Sequence, residues 1–535
     1  VFWEPPSRDG SNYQPFGLES QRPLSEYAVI AFSVTYELDY WHVVATLRAA
    51  GIPPLSRDRD ERHPIVIAGG PAIFANPEPL APFFDALVIG EAEPVLGPLF
   101  DLLTEASEEP REVVLRELLK VRSIYVPSFY EPVYDCNGAY QGMELAEGAP
   151  KAVPRAWLRD LDDVPVSTVL TTKDTELNDM FLIEVARGCG RWCRFCLAGY
   201  GFLPARARSL DLLLQQAREG LKRSKRVGLV SAMVSDHPQV EDLARGLRDM
   251  GAQFSVSSLR VNPISEVLLK GMVDSGTRNI TLGVESGSER LREYMNKGLT
   301  EPQYWSAVDL AGRLGFRQVK LYSMIGLPTE EDEDIDALIR MGLDTHARLE
   351  QLRKGTQLVV GVSSHVPKAQ VPFQWVAMLD VPTLKERLAR IKSGLRKKGI
   401  TVRSESPEWA RLEAILARGD RRLADTLLAL EDNSLRSWER ALAATNIPVE
   451  QFLGARDVVA PLPWEIIMTG VRHAFLKREW DRAEAMRASP VICADGPSCI
   501  RCGVCVETKL DLTPGGIPLR VKDRAGARIP VGVAG

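Results

Sequence analysis

No apolar run in this 535-residue chain reaches the ~18 residues that a membrane-spanning helix needs, and nothing near its start reads as a secretory signal. A cytoplasmic protein without a membrane partner is expected. Strong charge of one sign is also missing. The formal net charge is -5, so no global field draws the chain to nucleic acid or to an anionic membrane. Histidine is scarce, with six residues, and none lies near the cysteines of 189–196, the next being His237. A zinc site there would therefore lack a fourth ligand nearby in sequence. Cysteine is sparse too, but seven of the eight fall in two tight groups. Disulfides need an oxidising compartment, so grouped thiols here point to metal. Only Cys136 stands apart, and it reads as a buried apolar residue. The rest of the composition, 45% hydrophobic and 26% charged, is that of an ordinary globular protein, with length for about three domains. The chain begins at Val1 rather than Met and opens inside what reads as an ongoing fold, so a piece lacking its natural N-terminus is expected.

The first cysteine group is Cys189-Gly-Arg-Trp-Cys193-Arg-Phe195-Cys196, a C-x3-C-x2-C spacing directly after Met180–Val185, an apolar run that reads as a buried strand. Three thiolates thus sit on one loop leaving that strand. Soft thiolates favour an iron–sulfur cluster, zinc or Cu(I). A cubic 4Fe-4S cluster has four irons, so three protein ligands leave one iron open to a small molecule.

This stretch resembles the signature of radical S-adenosylmethionine (SAM) enzymes. The resemblance implies that Cys189, Cys193 and Cys196 hold a 4Fe-4S cluster, that the open iron chelates the amino and carboxylate groups of SAM, and that Phe195 packs near the adenine. It also implies that an electron from a reductant such as flavodoxin or ferredoxin cleaves SAM to methionine and a 5′-deoxyadenosyl radical, which abstracts hydrogen from a substrate. The cofactor pair carries that chemistry and the protein orients it, so no side chain is needed as a general base. The basic residues Arg187, Arg191 and Arg194 around the loop are expected to face SAM or an anionic substrate. Those at Lys222–Arg226 and Arg396–Lys398 read as solvated helix faces.

Residues 175–400 alternate strand-like and helical segments. Strands are expected at Met180–Val185, Val227–Val234, Phe254–Leu259, Asn279–Val284, Gln318–Ile325 and Gln357–Val366, with helices at Leu210–Lys222, Val240–Met250, Ser265–Ser275, Ser288–Met295 and Glu301–Leu314. Six βα units in series predict an α/β fold, a partial (β/α)6 TIM-like barrel with its chemistry at the carboxyl ends of the strands. By the resemblance those ends contribute to the SAM site: Ser235 after the second strand, Ser258 and Arg260 after the third, Glu285 and Ser286 after the fourth, and Ile325 and Gly326 within Tyr322–Pro328, the fifth-strand segment that resembles an adenine contact. Arg260 suits a carboxylate by its planar fork. Glu285 could accept from the ribose hydroxyls or pair with Arg260 or Arg290. Lys368 and Trp375, after the sixth strand, read as substrate contacts or, for Trp375, as core.

Residues 1–165 read as a truncated Rossmann-like α/β domain followed, from Tyr125 to Asp163, by an irregular linker. Val66-Ile-Ala-Gly69-Gly70-Pro71, Pro77-Glu78 and Gly90-Glu91-Ala-Glu93 resemble the second half of the cobalamin-binding domain that precedes many radical SAM cores. The D-x-H-x-x-G loop that supplies a cobalt ligand in such domains is absent. Cobalamin binding, with a cobalamin-dependent methyltransferase as the corresponding activity, stands beside a module that only shapes the substrate side. Residues 401–535 read as a helical region, with Arg418-Gly-Asp-Arg-Arg422 as a charged turn, ending in Cys493-x5-Cys499-x2-Cys502-x2-Cys505. Four thiolates in that spacing can hold a second iron–sulfur cluster or zinc. Over nearly its whole length the chain resembles a bacterial family with this domain order. SAM cleavage in the service of RNA or protein methylation or thiolation is the expected class of activity, and a non-catalytic nucleic-acid-binding or electron-carrying iron–sulfur protein is the alternative.

Overall fold

Four short strands near the N-terminus form one sheet in the computed structural model, which describes residues 14–174, 177, 179–262, 264–489 and 501–504. Val29–Ser33, Ile65–Gly69 and Ala86–Val88 run parallel, and Ile124–Tyr125 closes the edge antiparallel. Helix Tyr40–Ala49 covers one face with Val43, Val44 and Leu47, and helix Glu93–Glu105 covers the other with Val95 and Leu99. Burial on both faces explains why the strands read as continuous apolar runs.

The core is the expected parallel barrel. Met180–Glu184, Arg226–Val230, Gln253–Val256, Asn279–Glu285, Gln318–Ile325 and Gln357–Ser364 follow one another in space as in sequence. The third strand is bent at Ser257-Ser258. Gln253–Val256 pairs with the second strand, and its continuation, Leu259–Arg260, pairs with the fourth. A seventh parallel strand, Thr401–Ser404, extends the sheet beyond the six expected. It is four residues in a charged stretch, too short to show a period. On the fifth strand Val319, Leu321 and Ile325 are buried against the helices, which turns Lys320, Tyr322 and Met324 to the concave side.

The longest helix, Asp332–Leu352, lies between the fifth and sixth strands and has 21 residues. Ile335, Leu338, Met341, Thr345 and Leu349 form its buried stripe, and Glu331 with Asp334 caps it. Gly287 lies so close that a Cβ there would sit 2.4 Å from Leu338 Cα.

Two expectations are corrected. The stretch after Tyr125 is not irregular throughout. Tyr130–Tyr134 and Tyr140–Leu145 form an antiparallel hairpin, and Val153–Pro154 pairs with Ile467–Met468. Pro and Gly at the turns masked the alternation of its tyrosines. Cys136, at the hairpin tip, is exposed rather than buried. The charged Arg418–Arg422 turn is buried or half-buried throughout. Arg418 is buried and donates to the carbonyls of Gln374, Val376 and Gly454. Arg421 reaches the N-terminal sheet, where Nε lies 3.0 Å from Glu78 and Nη2 lies 2.8 Å from the Tyr125 hydroxyl. Arg422 pairs with Asp420, and its guanidinium lies 4.3 Å from the centre of the Tyr134 ring. Backbone carbonyls and two buried carboxylates, Glu78 and Asp420, replace water around these cations. No helix among the described residues is long and apolar enough to cross a membrane.

Candidate cluster and SAM site

The first barrel strand leads into Ala186–Arg187, which pairs antiparallel with Arg206–Ala207. The cysteine loop is what these two dipeptides close at the neck. Gly188 opens it at φ +80°, and a Cβ there would stand 2.4 Å from the Phe202 carbonyl, so the turn admits only glycine. Trp192 anchors the back of the loop in an apolar cluster, edge-on to Phe475 and Tyr200 at 5.1 and 5.5 Å. Arg194 is buried and donates to the carbonyls of Tyr294 (2.7 Å) and Arg487 (2.6 Å). Of the loop arginines, Arg194 is thus turned to the protein interior. Arg191 pairs with Asp236, 3.0 Å between Nε and Oδ2, and Arg187 joins the neck, so none of the three is left for an anionic ligand alone.

Cys193 is buried, and Cys189 and Cys196 are half-buried. Burial, with the neighbouring thiols adding to it, pushes Cys189 up to about 12 and Cys196 up to about 11. Without metal these groups are thiols, and metal binding must release their protons. Arg260 Nη1 lies 3.9 Å from Cys193 Sγ. Burial works against the Arg260 charge, but Cys193, Asp236 and Cys189 outweigh it. Burial also works against the Lys297 charge, but Glu285 and Cys193 outweigh it. Among the described residues no three His, Cys, Asp or Glu side chains gather as they would around a single ion. A cubic cluster takes each thiolate at a separate corner, so its ligands stand farther apart. Three thiols on one loop, with two cations beside them, fit that anionic group.

The neck is clamped from the N-terminal sheet. Arg187 pairs with Glu184, Glu91 and Glu93, each at 2.9 Å, and Arg206 pairs with Glu91. Arg208 pairs with the other oxygen of Glu184. The Gly90–Glu93 loop, which resembled a cobalamin contact, is thus used to hold the cysteine loop. A Cβ at Gly90 would meet the Ala156 carbonyl at 2.3 Å, and one at Gly70 would meet the Val34 carbonyl at 2.4 Å. Both glycines, like Glu78 and Glu91, are taken up by the chain itself.

The residues expected around SAM are distributed unevenly. Ser235 and Ser286 are buried, and Ser258 is exposed at the bend of the third strand. Phe195 is half-buried against the Trp192 cluster. Arg260 is already engaged, with Nε on the Asn262 carbonyl at 2.8 Å and Nη2 on that of Lys297. Glu285, at φ +65° after a bulge in its strand, pairs with Lys297 Nζ at 2.7 Å rather than with Arg260 or Arg290. Arg290 pairs with Asp334 instead. Lys297 was not read from the sequence, where it is one lysine in a turn. The Ile325 side chain is buried in the core, and its carbonyl accepts from the His365 N–H at 2.8 Å. Gly326, at φ +82°, donates its N–H to Glu330 Oε1 at 2.8 Å. Trp375 is core, and Lys368 is held by Glu37 and Glu413 at 2.7 Å each. Of the tail cysteines, Cys502 is buried in the same apolar cluster as Trp192, and Cys493, Cys499 and Cys505 lie outside the described residues.

Comparison with known proteins agrees with this barrel and loop. Residues 183–342 match the model of the radical SAM superfamily, and residues 7–127 match that of the N-terminal region of radical SAM proteins. An uncharacterized protein of Methanocaldococcus jannaschii is 31% identical over 418 residues, 78% of this chain and 83% of the relative. The chain belongs to the radical SAM superfamily, whose membership implies a 4Fe-4S cluster and SAM as co-substrate. An uncharacterized methyltransferase of Pyrococcus horikoshii is 25% identical over 51% of this chain and 57% of its own length. A tRNA-2-methylthio-N(6)-dimethylallyladenosine synthase of Dehalococcoides mccartyi is 24% identical over 44% of this chain and 60% of its own. The chain spans less than two thirds of the length of these last two.

Proposed function

We propose that Cys189, Cys193 and Cys196 hold a 4Fe-4S cluster, that SAM binds beside it, and that the chain uses the pair to methylate or methylthiolate RNA. The observation that carries the reading is the cysteine loop at the carboxyl end of the first barrel strand, with Cys193 buried, Cys189 and Cys196 half-buried, and Arg260 in contact with Cys193. When bound and reduced by one electron, cluster and SAM supply a 5′-deoxyadenosyl radical. The chain's own part is positional. Trp192, Tyr200 and Phe475 keep water from the back of the loop. Arg260 and Lys297, the latter held in place by Glu285, set positive charge beside the thiols in a buried place. Ser235, Ser258, Ser286, Ile325 and Gly326 are the proposed contacts for the polar atoms of SAM, the last two through backbone groups other than the Gly326 N–H, which Glu330 accepts, and the Ile325 carbonyl, which accepts from the His365 N–H.

Methyl or methylthio transfer is favoured by what the Pyrococcus and Dehalococcoides relatives are named for, and RNA by the second of them. The cobalamin-dependent alternative is disfavoured because Gly70, Glu78, Gly90 and Glu91 are engaged with the chain itself. The four tail cysteines form a proposed second iron–sulfur or zinc site, and a carrier such as flavodoxin or ferredoxin the proposed reductant. The test is anaerobic incubation of reconstituted, reduced protein with methyl-labelled SAM and either unmodified RNA or a protein mixture. Label is expected in the RNA. Label in protein alone would overturn the substrate part of the reading.

A further inference from the structure

The concave wall of the barrel carries a pair of side chains, Lys320 and Tyr322, that the cysteine loop does not use; Tyr322 opens the fifth-strand segment that resembles an adenine contact. Tyr322 lies in mid-sheet, where strands of parallel sheets are normally covered, yet it is 39% exposed. Its partners in register are Gly283 on one neighbouring strand and Gly361 on the other, so no side chain rises beside the ring on either strand. A Cβ at Gly361 would crowd the ring at 3.2 Å and Lys320 Cε at 3.3 Å. One at Gly283 would stand 3.3 Å from Glu285 Oε1 and 3.5 Å from Lys297 Nζ. The slot around Tyr322 therefore opens directly beside the polar groups that neighbour Cys193. Lys320, two residues earlier on the same face, is half-buried. Its ammonium lies 4.5 Å from the centre of the Tyr322 ring and 3.5 Å from its hydroxyl. Among the described residues no carboxylate pairs with it.

A half-buried cation without a counter-charge, beside an accessible aromatic ring in a glycine-walled slot, is matched by a planar ring that carries an anionic group. We propose that Tyr322 and Lys320 receive one nucleotide of single-stranded RNA, the base against the Tyr322 ring and a phosphate at Lys320. The inference rests on the RNA reading above and names the residues that would recognise that substrate.

The test is fluorescence anisotropy of a labelled single-stranded RNA oligonucleotide with the full chain, SAM affinity being measured in parallel. Tyr322→Ala and Gly361→Val, which fills the slot, should each weaken RNA binding about tenfold, the loss of one stacked base. Tyr322→Phe should retain most of the affinity. Lys320→Met should weaken binding and lower the salt slope by about one phosphate contact. SAM affinity should move less than about twofold throughout, a tenfold change being 1.4 kcal/mol. Unchanged RNA affinity in Tyr322→Ala and Lys320→Met, or none in the wild type, overturns the proposal. A parallel loss of RNA and SAM affinity would assign Tyr322 to SAM and overturn it as well. A wild type that binds RNA through these residues but cleaves no SAM would sink the catalytic reading and leave this one standing.

Discussion

Glu91→Ala would remove the carboxylate on which the neck of the cysteine loop converges. Glu91 is 5% exposed in its side chain and accepts from Arg206 Nη1 at 3.0 Å, from Arg187 Nη1 at 2.9 Å and from the Leu158 N–H at 2.8 Å. Without it Arg206 retains the carbonyls of Pro204 and Leu158 and the face of the Trp157 ring, but no carboxylate, whereas Arg187 keeps Glu184 and Glu93. Removing one partner from a buried ion pair costs about 3–5 kcal/mol, against a whole-domain stability of about 5–15 kcal/mol. The fold should therefore survive with a weakened neck. Glu91→Gln keeps an acceptor for Leu158 but not the charge, and should cost about 1–3 kcal/mol. Urea unfolding followed by circular dichroism measures the loss, and iron retained per chain after exposure to a chelator measures its effect on the loop. Both variants should release iron faster than wild type, alanine more than glutamine. A loss below about 1 kcal/mol with wild-type iron retention would refute the claim that the N-terminal sheet holds the cluster loop. Burial pushes the Glu91 carboxyl up, but Arg206 and Arg187 outweigh it and hold it below the usual range. Its folded pKa is thus depressed. The pair's contribution is present above the ordinary glutamate range and is lost as pH falls through the lowered folded value. Glu91→Gln should flatten that acid limb.

Three further outcomes are expected. Gly188→Ala, at a positive φ and against the Phe202 carbonyl, should abolish iron binding while leaving far-UV dichroism near wild type; full iron content would show that the neck can reopen. Arg260→Gln should lower the midpoint potential of the cluster in an EPR-monitored titration, because a charged donor to Cys193 favours the more negative reduced state; an unchanged midpoint with weaker SAM binding would return Arg260 to the SAM carboxylate. Glu330 is pushed up to about 7, chiefly by burial, although the Gly326 N–H and Arg387 oppose the shift. Its folded pKa is raised, so wild-type stability should fall as pH rises from the ordinary glutamate range to about 7; thermal unfolding should show this slope and Glu330→Gln should lack it.

Legibility in the sequence followed locality. The cysteine loop is one contiguous spacing, and the barrel strands are apolar runs that announce themselves within a few residues. Lys297 could not be found that way, because its role depends on Glu285 and Cys193, brought together only by the barrel. The same holds for Glu78 and Glu91. Each follows a glycine-bearing loop and resembles a ligand contact, but Arg421 and Arg206 reach them from distant segments. The sequence marks Arg418 only as part of a charged turn; its burial depends on the distant carbonyls of Gln374, Val376 and Gly454. The Asp332–Leu352 helix was readable from the spacing of Ile335, Leu338, Met341 and Leu349, and its acidic start hid it. The Tyr130–Leu145 hairpin was hidden by its turn residues, which outweigh alternation in so short a segment.

The central claim is that Cys189, Cys193 and Cys196 support reductive cleavage of SAM. It is tested most directly by 5′-deoxyadenosine formation from SAM by anaerobically reconstituted, dithionite-reduced protein, with Cys193→Ala as control. The account expects product from the wild type and none from the variant. No product from wild-type protein shown to hold its cluster, or equal product from Cys193→Ala, would contradict it.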